Sequence, residues 1–583
     1  MFPSLLGLRR VAAQTLIPGL LLATGSLASA QSEDAFYQAY FLENDQQDWS
    51  AAARAYEKIL DDRRAPEELK NKARIRLAIC REELVSADFA QLMPPTLLAY
   101  IELDEPGERM RQVLSQLGLL RAATEQMEAS DVGVSPLLVE SVLGLRGAAV
   151  AITGFNPMTE EPMGVGVLHP GDLDLVRGLI ETALPAEAER LDDIEGYEAY
   201  SAEHLTVVLT SRLVVAGNDR GQVRKVLQRL NGELHESLAS EGELLRALGD
   251  REGALLSFLI NPEPIMPLVD IAVAADPEAA TWMQLADPKS LETLAGSLSL
   301  GREGVALELA LDLEEGHTNR VFHFLRMPAI QKDTLERIPA GVTGFVAAAL
   351  NDARSYSEEA GDTYLSFMDV GREVFGNLTS FAVFALPDES ASEVPHVGAV
   401  LSVNDPAASA SLWGMALGMA SLAGGGSLEG EVVHVAGVEA RGYRLPDGPM
   451  IYGAMDGAEL FLATSEKALA GAIETGGKGA SVLEDKAFAE AIEAMTGHET
   501  LAVAVHGERM LRMMQPWADG EEAEQMRQLA PRLADSVMSL AVSHSPERLG
   551  VRLALTHLPK VGDLIAAQLH GSQAGGYVAH GAH

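Results

Sequence analysis

The stretch MIYGAMDGAELFLATSEKALAGAI, Met450–Ile473, decides the fold. Two β-rich runs, Met450–Met455 and Ala458–Ala463, flank Asp456-Gly457, a dipeptide that supplies the positive φ of a type I′ hairpin turn. A helix is expected directly afterwards, from Ser465 to Ile473, with Ser465 as its cap. A hairpin running straight into a helix implies antiparallel sheet with one face covered by helices, an α+β arrangement.

The same unit occurs earlier in the chain. Leu205–Leu209 and Leu213–Ala216 form the corresponding strand pair, and a helix is expected near Arg220–Leu230. Further echoes run in the same order. The run from Pro94 to Ile101 returns from Pro339 to Val346, and Gly166-Val167-Leu168 with Asp172 returns as Ala399-Val400-Leu401 with Asp405. Gly196-Tyr197-Glu198-Ala199 returns as Gly437-Val438-Glu439-Ala440, Leu213–Ala216 as Leu460–Ala463, and Leu298-Ser299-Leu300 as Met538-Ser539-Leu540. The offset drifts only between 233 and 247, as loop insertions produce. Residues 91–327 and 336–560 therefore read as tandem copies of one domain, joined around Met327–Arg337, with 561–583 as a flexible tail.

Duplication also bears on Pro406–Leu428, a run of 23 residues without a charged side chain that is long enough to span a bilayer. Its counterpart, Asp172 to Leu184, carries Asp174, Arg177 and Glu181, so both are read as soluble helices. Gly414 and Gly418 then serve close helix packing, and no integral membrane span is expected after leader removal.

Ahead of the duplicated body, residues 31–90 read as helical. Phe36, Tyr37, Tyr40 and Phe41 recur at spacings of three and four; Ala52, Ala55, Tyr56, Ile59 and Leu60 follow on a second helix capped by Asp48; Ala73, Leu77 and Cys80 lie on a third opened by Pro66. Ala39 and Ala73 stand 34 residues apart, and Ala52 and Tyr56 fit the small and aromatic positions of a second repeat helix. The module resembles a tetratricopeptide repeat over about 50 residues, one and a half periods. Glu43 stands where that family usually has tyrosine and the terminal proline is displaced, so a plain three-helix bundle accounts for the spacing equally well. The whole layout resembles exported bacterial proteins of unknown function that place a short tetratricopeptide-like segment before a tandem α+β region. That resemblance implies a periplasmic or envelope location and carries over no active-site residue.

The N-terminus agrees. Arg9 and Arg10 precede an apolar stretch from Val11 through Ala23, and Ala28-Ser29-Ala30 is the small-residue pattern of a signal-peptidase site, which places cleavage between Ala30 and Gln31. Arg9-Arg10 also fits twin-arginine export, though Val11-Ala12-Ala13 continues that motif weakly. Of 583 residues, 84 are acidic and 44 are Lys or Arg, a formal charge of −40, and loss of the leader, which holds two arginines and no carboxylate, takes it to −42. A field of that sign repels nucleic acid and anionic membranes. Cys80 is the only cysteine, so no intramolecular disulfide forms.

No catalytic, cofactor or metal residue emerges. Gly476-Gly477-Lys478-Gly479 lacks P-loop spacing, Gly424-Gly425-Gly426 lacks a dinucleotide fingerprint, and His235-Glu236 and His498-Glu499 each lack the second histidine of a zinc-protease helix. His570, His580 and His583 lie in the tail. The expected function is a non-enzymatic interaction or scaffold protein of the cell envelope, binding a protein or peptide partner. Two alternatives stand beside it: a carrier of an apolar ligand between the duplicated domains, for which Met510, Met513 and Met514 suit an adaptable surface, and an unrecognised envelope hydrolase.

Overall fold

The computed structural model describes residues 32–118, 143–155, 161–174, 189–249, 253–270, 287–317, 327–350, 377–387, 395–410, 430–444, 450–475 and 479–559, with short breaks inside some stretches and isolated positions between them. The chain divides into two compact units, the first drawn from residues up to Glu108 and Leu137–Arg246, the second from Arg109–Pro136 and Ala247 onward. That division falls inside the span 91–327 read from the sequence as one repeat. The class is α+β.

The first unit opens with three helices: α1 over 32–44, α2 Trp49–Asp61 and α3 Glu67–Ser86. The Asp48 carboxylate caps α2 by accepting from the Ala51 N–H at 2.8 Å. Their apolar stripes meet in a small core of Ala39, Ala52, Tyr56, Ile59, Ala73, Leu77 and Cys80. Seven strands follow: β1 Ala99–Asp104, β2 Gly147–Phe155, β3 Pro162–His169, β4 Glu189–Arg190, β5 Glu198–Ala202, β6 Leu205–Leu209 and β7 Val214–Gly217. They pair antiparallel in the order β1-β2-β3-β7-β6-β5-β4. Helix α4, Arg220–Leu230, is capped by Asp219 and packs on β7, β3 and β6 through Val223, Val226 and Leu227.

The second unit holds β8 Ala254–Ile260, β9 Leu291–Gly301, β10 Gly304–Leu313, β11 Gly344–Ala349, β12 Leu378–Leu386, β13 His396–Val403, β14 Glu431–Val435, β15 Val438–Arg444, β16 Met450–Asp456, β17 Glu459–Ala463, β18 Glu499–His506, β19 Val537–His544 and β20 Arg548–Thr556. Their ladder runs β14-β15-β16-β17-β13-β12-β11-β18-β19-β20-β10-β9-β8, antiparallel throughout. The order β2-β3-β7-β6-β5-β4 thus recurs as β12-β13-β17-β16-β15-β14. Helix α5, Glu466–Thr475, follows β17 as α4 follows β7. Two further helices, α6 Gly507–Met514 and α7 Gly520–Leu529, lie between β18 and β19.

Backbone dihedrals carry the same repetition. Glu195 and Gly196 take φ of 51° and 85°, and so do Ala436 and Gly437, the paired left-handed residues of a type I′ turn. The Met450–Ala463 hairpin differs from expectation by one residue. Asp456 pairs with Glu459, so the turn is Gly457-Ala458 and only Gly457 has positive φ, at 57°. Glycine takes the strained first position without cost, while Asp456 stays extended and adds a pair to the ladder. That places glycine as in a type II′ turn rather than type I′.

One face of the second unit's sheet packs on the helices. Phe345, Ala347, Ala382, Phe384, Val400, Phe461, Ala463, Ala502 and Ala504 form one core with Ala468, Leu469 and Ala472 of α5. Strand alternation sends the neighbours of these residues to the opposite face.

Candidate functional site

Three features of the described residues carry chemistry or exposed apolar surface. The first is the helical module. Glu43 is buried, and the Tyr56 hydroxyl donates to it at 2.7 Å while Arg76 pairs with its other oxygen at 3.0 Å. Burial, reinforced by the neighbouring carboxylate, pushes the Tyr56 hydroxyl well above its usual range. Cys80 lies within the same core, where burial first and the Glu43 charge second push its thiol up to about 12. A thiol so placed stays protonated and inert.

The opposite side of α1 is apolar and open. Tyr37 is 68% exposed, Phe41 51% and Tyr40 39%, at one helical spacing, and Ile75 on α3 is 62% exposed. The Arg76 guanidinium lies over the Tyr40 ring, 4.7 Å from its centroid. Sequence periodicity had marked Tyr37, Tyr40 and Phe41 as helical neighbours, but only packing shows that Ala39 and Glu43 point inward and the aromatics outward.

Three consecutive charged residues tie the C-terminal half of α3 to the end of α4 and to the sheet of its own unit. Arg81 donates to the Asn231 carbonyl at 2.9 Å. Glu82 is fully buried and accepts from the Thr210 hydroxyl at 2.8 Å and from the backbone N–H groups of Ser211 and Arg212. Burial holds its carboxyl above the ordinary range despite those donors. Glu83 is also drawn upward by burial, but His169, Arg212 and Arg146 outweigh that, so its carboxyl rests below the usual range. Arg146 and Arg212 stand 3.3 and 3.4 Å away. Two adjacent carboxylates are thus pushed in opposite directions, and both face structural donors. Sequence reading did not single out either residue, since both look like part of a solvated acidic run.

The second feature is a cleft of about 190 Å³ in the second unit. Small residues of the sheet, among them Ala295, Ser297, Ala310, Ala541 and Ser543, form its floor, and Glu308, Arg548 and Arg552 reach into it. Its charges are mutually occupied. Arg552 stands 3.4 Å from Glu308 and donates to the Ala494 carbonyl at 2.8 Å, and Arg548 stands 3.4 Å from Asp312. The arrangement ties strand β20 to β10 and to the Ala494 carbonyl, and among the described lining residues it supplies no nucleophile with an adjacent base.

The third is the outer face of the second unit's sheet. Along β18, Ala502 and Ala504 are buried, whereas Leu501, Val503 and Val505 are only half-buried. Val346, Val383, Leu401, Leu540, Val551, Leu555, Leu307 and Leu298 share that face and are likewise half-buried, and Leu553 and Met538 are exposed. Along β18 the larger apolar side chains therefore face away from the helix-covered core, whereas β11, β12 and β17 also send Phe345, Phe384 and Phe461 into it.

Ala28, Ala30 and Gln31 lie outside the described residues, as do Gly424-Gly425-Gly426, His570, His580, His583 and most of Pro406–Leu428. His235 and His498 are exposed and Glu499 is buried at the start of β18. Met510 and Met513 on α6 are half-buried and Met514 is exposed. Among the described residues no group of three His, Cys, Asp or Glu side chains is placed to hold a metal ion, and no helix is long and apolar enough to cross a membrane.

No known family model and no curated protein matches the sequence. Solved structures of TP0453 are similar in part: crystal form III has 12% identity and a TM-score of 0.25 over 40% of this chain and 84% of that one, and crystal form I has 13% identity and a TM-score of 0.23 over 41% and 83%. Likenesses of that size leave fold and function to be argued from this chain's own residues.

Proposed function

We propose that this is a non-enzymatic interaction protein of the cell envelope, exported by its leader and docking a protein or peptide partner on the first helices of a tetratricopeptide-like module. The observation that carries the reading is the row Tyr37, Tyr40 and Phe41, three aromatic rings exposed along one helix, with Ile75 also exposed on α3. Rings of this kind supply large contact area at low entropic cost and are enriched at interface centres.

Deleting residues 31–90 would not test it cleanly, because Arg81, Glu82 and Glu83 brace the sheet of the first unit. The test is a surface variant, Tyr37→Ala with Phe41→Ala, compared with the unaltered chain in affinity capture from envelope extract. Loss of the recovered partners is expected; the same partners at the same yield would refute docking at α1.

The outer face of the second unit's sheet favours a second reading, a carrier of an apolar ligand. A half-buried sheet of Leu and Val offers acyl chains a surface that water solvates poorly. Extraction of the purified native protein followed by lipid mass spectrometry tests it, and a protein recovered without lipid would count heavily against a carrier.

A further inference from the structure

We propose that the open stripe of α1 receives a basic segment, one that sets arginine or lysine beside aliphatic side chains. This rests on the docking role proposed above. The stripe is mixed in character. Glu33 and Asp34 lie one helical turn before Tyr37, then come Tyr40 and Phe41, then Asn44 and Asp45, all exposed. Glu33 and Asp34 make no ion pair among the described residues; Glu33 lies within electrostatic reach of Lys72, whose ammonium is paired with Glu68.

Aromatic faces carry a negative quadrupole that attracts guanidinium and ammonium groups. Arg76 over Tyr40 is an instance of that contact within the chain. The cations nearest the stripe are already occupied, Lys72 by Glu68 at 2.9 Å and Arg76 by Glu43 at 3.0 Å. A partner's own cation would find rings with carboxylates one turn away, while its aliphatic groups would meet Phe41 and Ile75.

The whole-chain charge of −40 acts in the same direction. It slows the approach of an acidic partner and steers a basic one, an effect that salt screens. Neither the stripe nor the field suits nucleic acid or an anionic bilayer.

The experiment uses the chain from Gln31 onward and two labelled 20-residue probes, an amphipathic Lys/Leu peptide and the same peptide with Glu for Lys. Binding is read by fluorescence anisotropy at low and at high salt. The Lys/Leu probe should bind at low salt and weaken as salt rises. Its affinity should fall about tenfold or more in Tyr37→Ala/Phe41→Ala, as loss of two aromatic anchors implies, and also in Glu33→Lys/Asp34→Lys. A charge-matched control, Glu521→Lys/Glu522→Lys on α7, should stay within about twofold of the unaltered chain, since screened charges act locally.

An equal loss in that control would reduce the binding to general electrostatics and overturn the proposal, as would no loss in the aromatic variant or no binding of the Lys/Leu probe. If the Glu/Leu probe bound better through the same two rings, the basic-partner assignment would fall while the docking face stood. The altered residues are solvent-exposed, and circular dichroism of each variant verifies that its fold is kept.

Discussion

Glu82 and Glu83 are neighbours in sequence with opposite proton linkage. Glu83 binds its proton less tightly folded than unfolded, so its stabilisation is present above the ordinary glutamate pKa and is lost as pH falls through the lower folded value. Glu83→Gln should therefore cost about 1–3 kcal/mol near neutral pH, the worth of hydrogen bonds to a charged group. The difference from the unaltered chain should shrink in denaturant titrations below about pH 4. Glu82 has the reverse sign: its raised carboxyl favours the folded state at low pH, and that contribution fades as pH rises through the folded value. Cys80 gives a simpler expectation. With its thiol raised to about 12, a thiol reagent at pH 8 should leave the native chain unmodified and label it after denaturation; prompt native labelling would contradict the burial. The sequence places Cys80 in helical register with Ala73 and Leu77. It says nothing of the two glutamates, because whether a carboxylate in a charged run is solvated or buried depends on what packs over it.

Turns and helices were more legible than ladders. The hairpin with α5, the cap at Asp48 and the helices of the N-terminal module follow from local periodicity and side-chain capping chemistry, which act within a few residues. The Met450–Ala463 turn is shifted by one residue because Asp456 joins the ladder opposite Glu459, a pairing that local turn chemistry does not specify. Ala436 occupies a left-handed position, φ 51°, that a Cβ makes unfavourable. Ala436→Gly should raise stability by up to about 1 kcal/mol, because the left-handed strain is relieved, and a lower thermal midpoint for the variant would argue against the type I′ turn. In the helical module, Tyr56→Phe removes the hydroxyl that Glu43 accepts and leaves that carboxylate to Arg76 alone. A loss of about 1–3 kcal/mol is expected from chemical denaturation, the cost of an unsatisfied buried charged acceptor.

At the scale of the second unit, β10 pairs along its length with β20, from Gly304 opposite Thr556 to Asp312 opposite Arg548. These are the last strands of the two spans read from the sequence as copies, and they lie side by side. Gly304 sits against the Leu555 carbonyl, where an added Cβ would come within 1.9 Å of the oxygen, at a φ of 134°. Gly304→Ala should be among the most damaging single substitutions, several kcal/mol by the usual cost of backbone overpacking and strain. A thermal midpoint unchanged from the parent chain would show that the seam yields. The net charge makes a further expectation: self-repulsion weakens as salt rises, so the thermal midpoint should climb between low and moderate ionic strength. By itself the sequence determined the α+β class, the helices ahead of the sheet and the acidic balance. Each follows from local periodicity or composition, which need no partner residue far away. Only the tertiary structure decided which side of α1 is open, which glutamates are buried, and which face of the second unit's sheet the helices cover. Those outcomes depend on what packs against each face, and a strand's alternation is the same whichever face the helices choose.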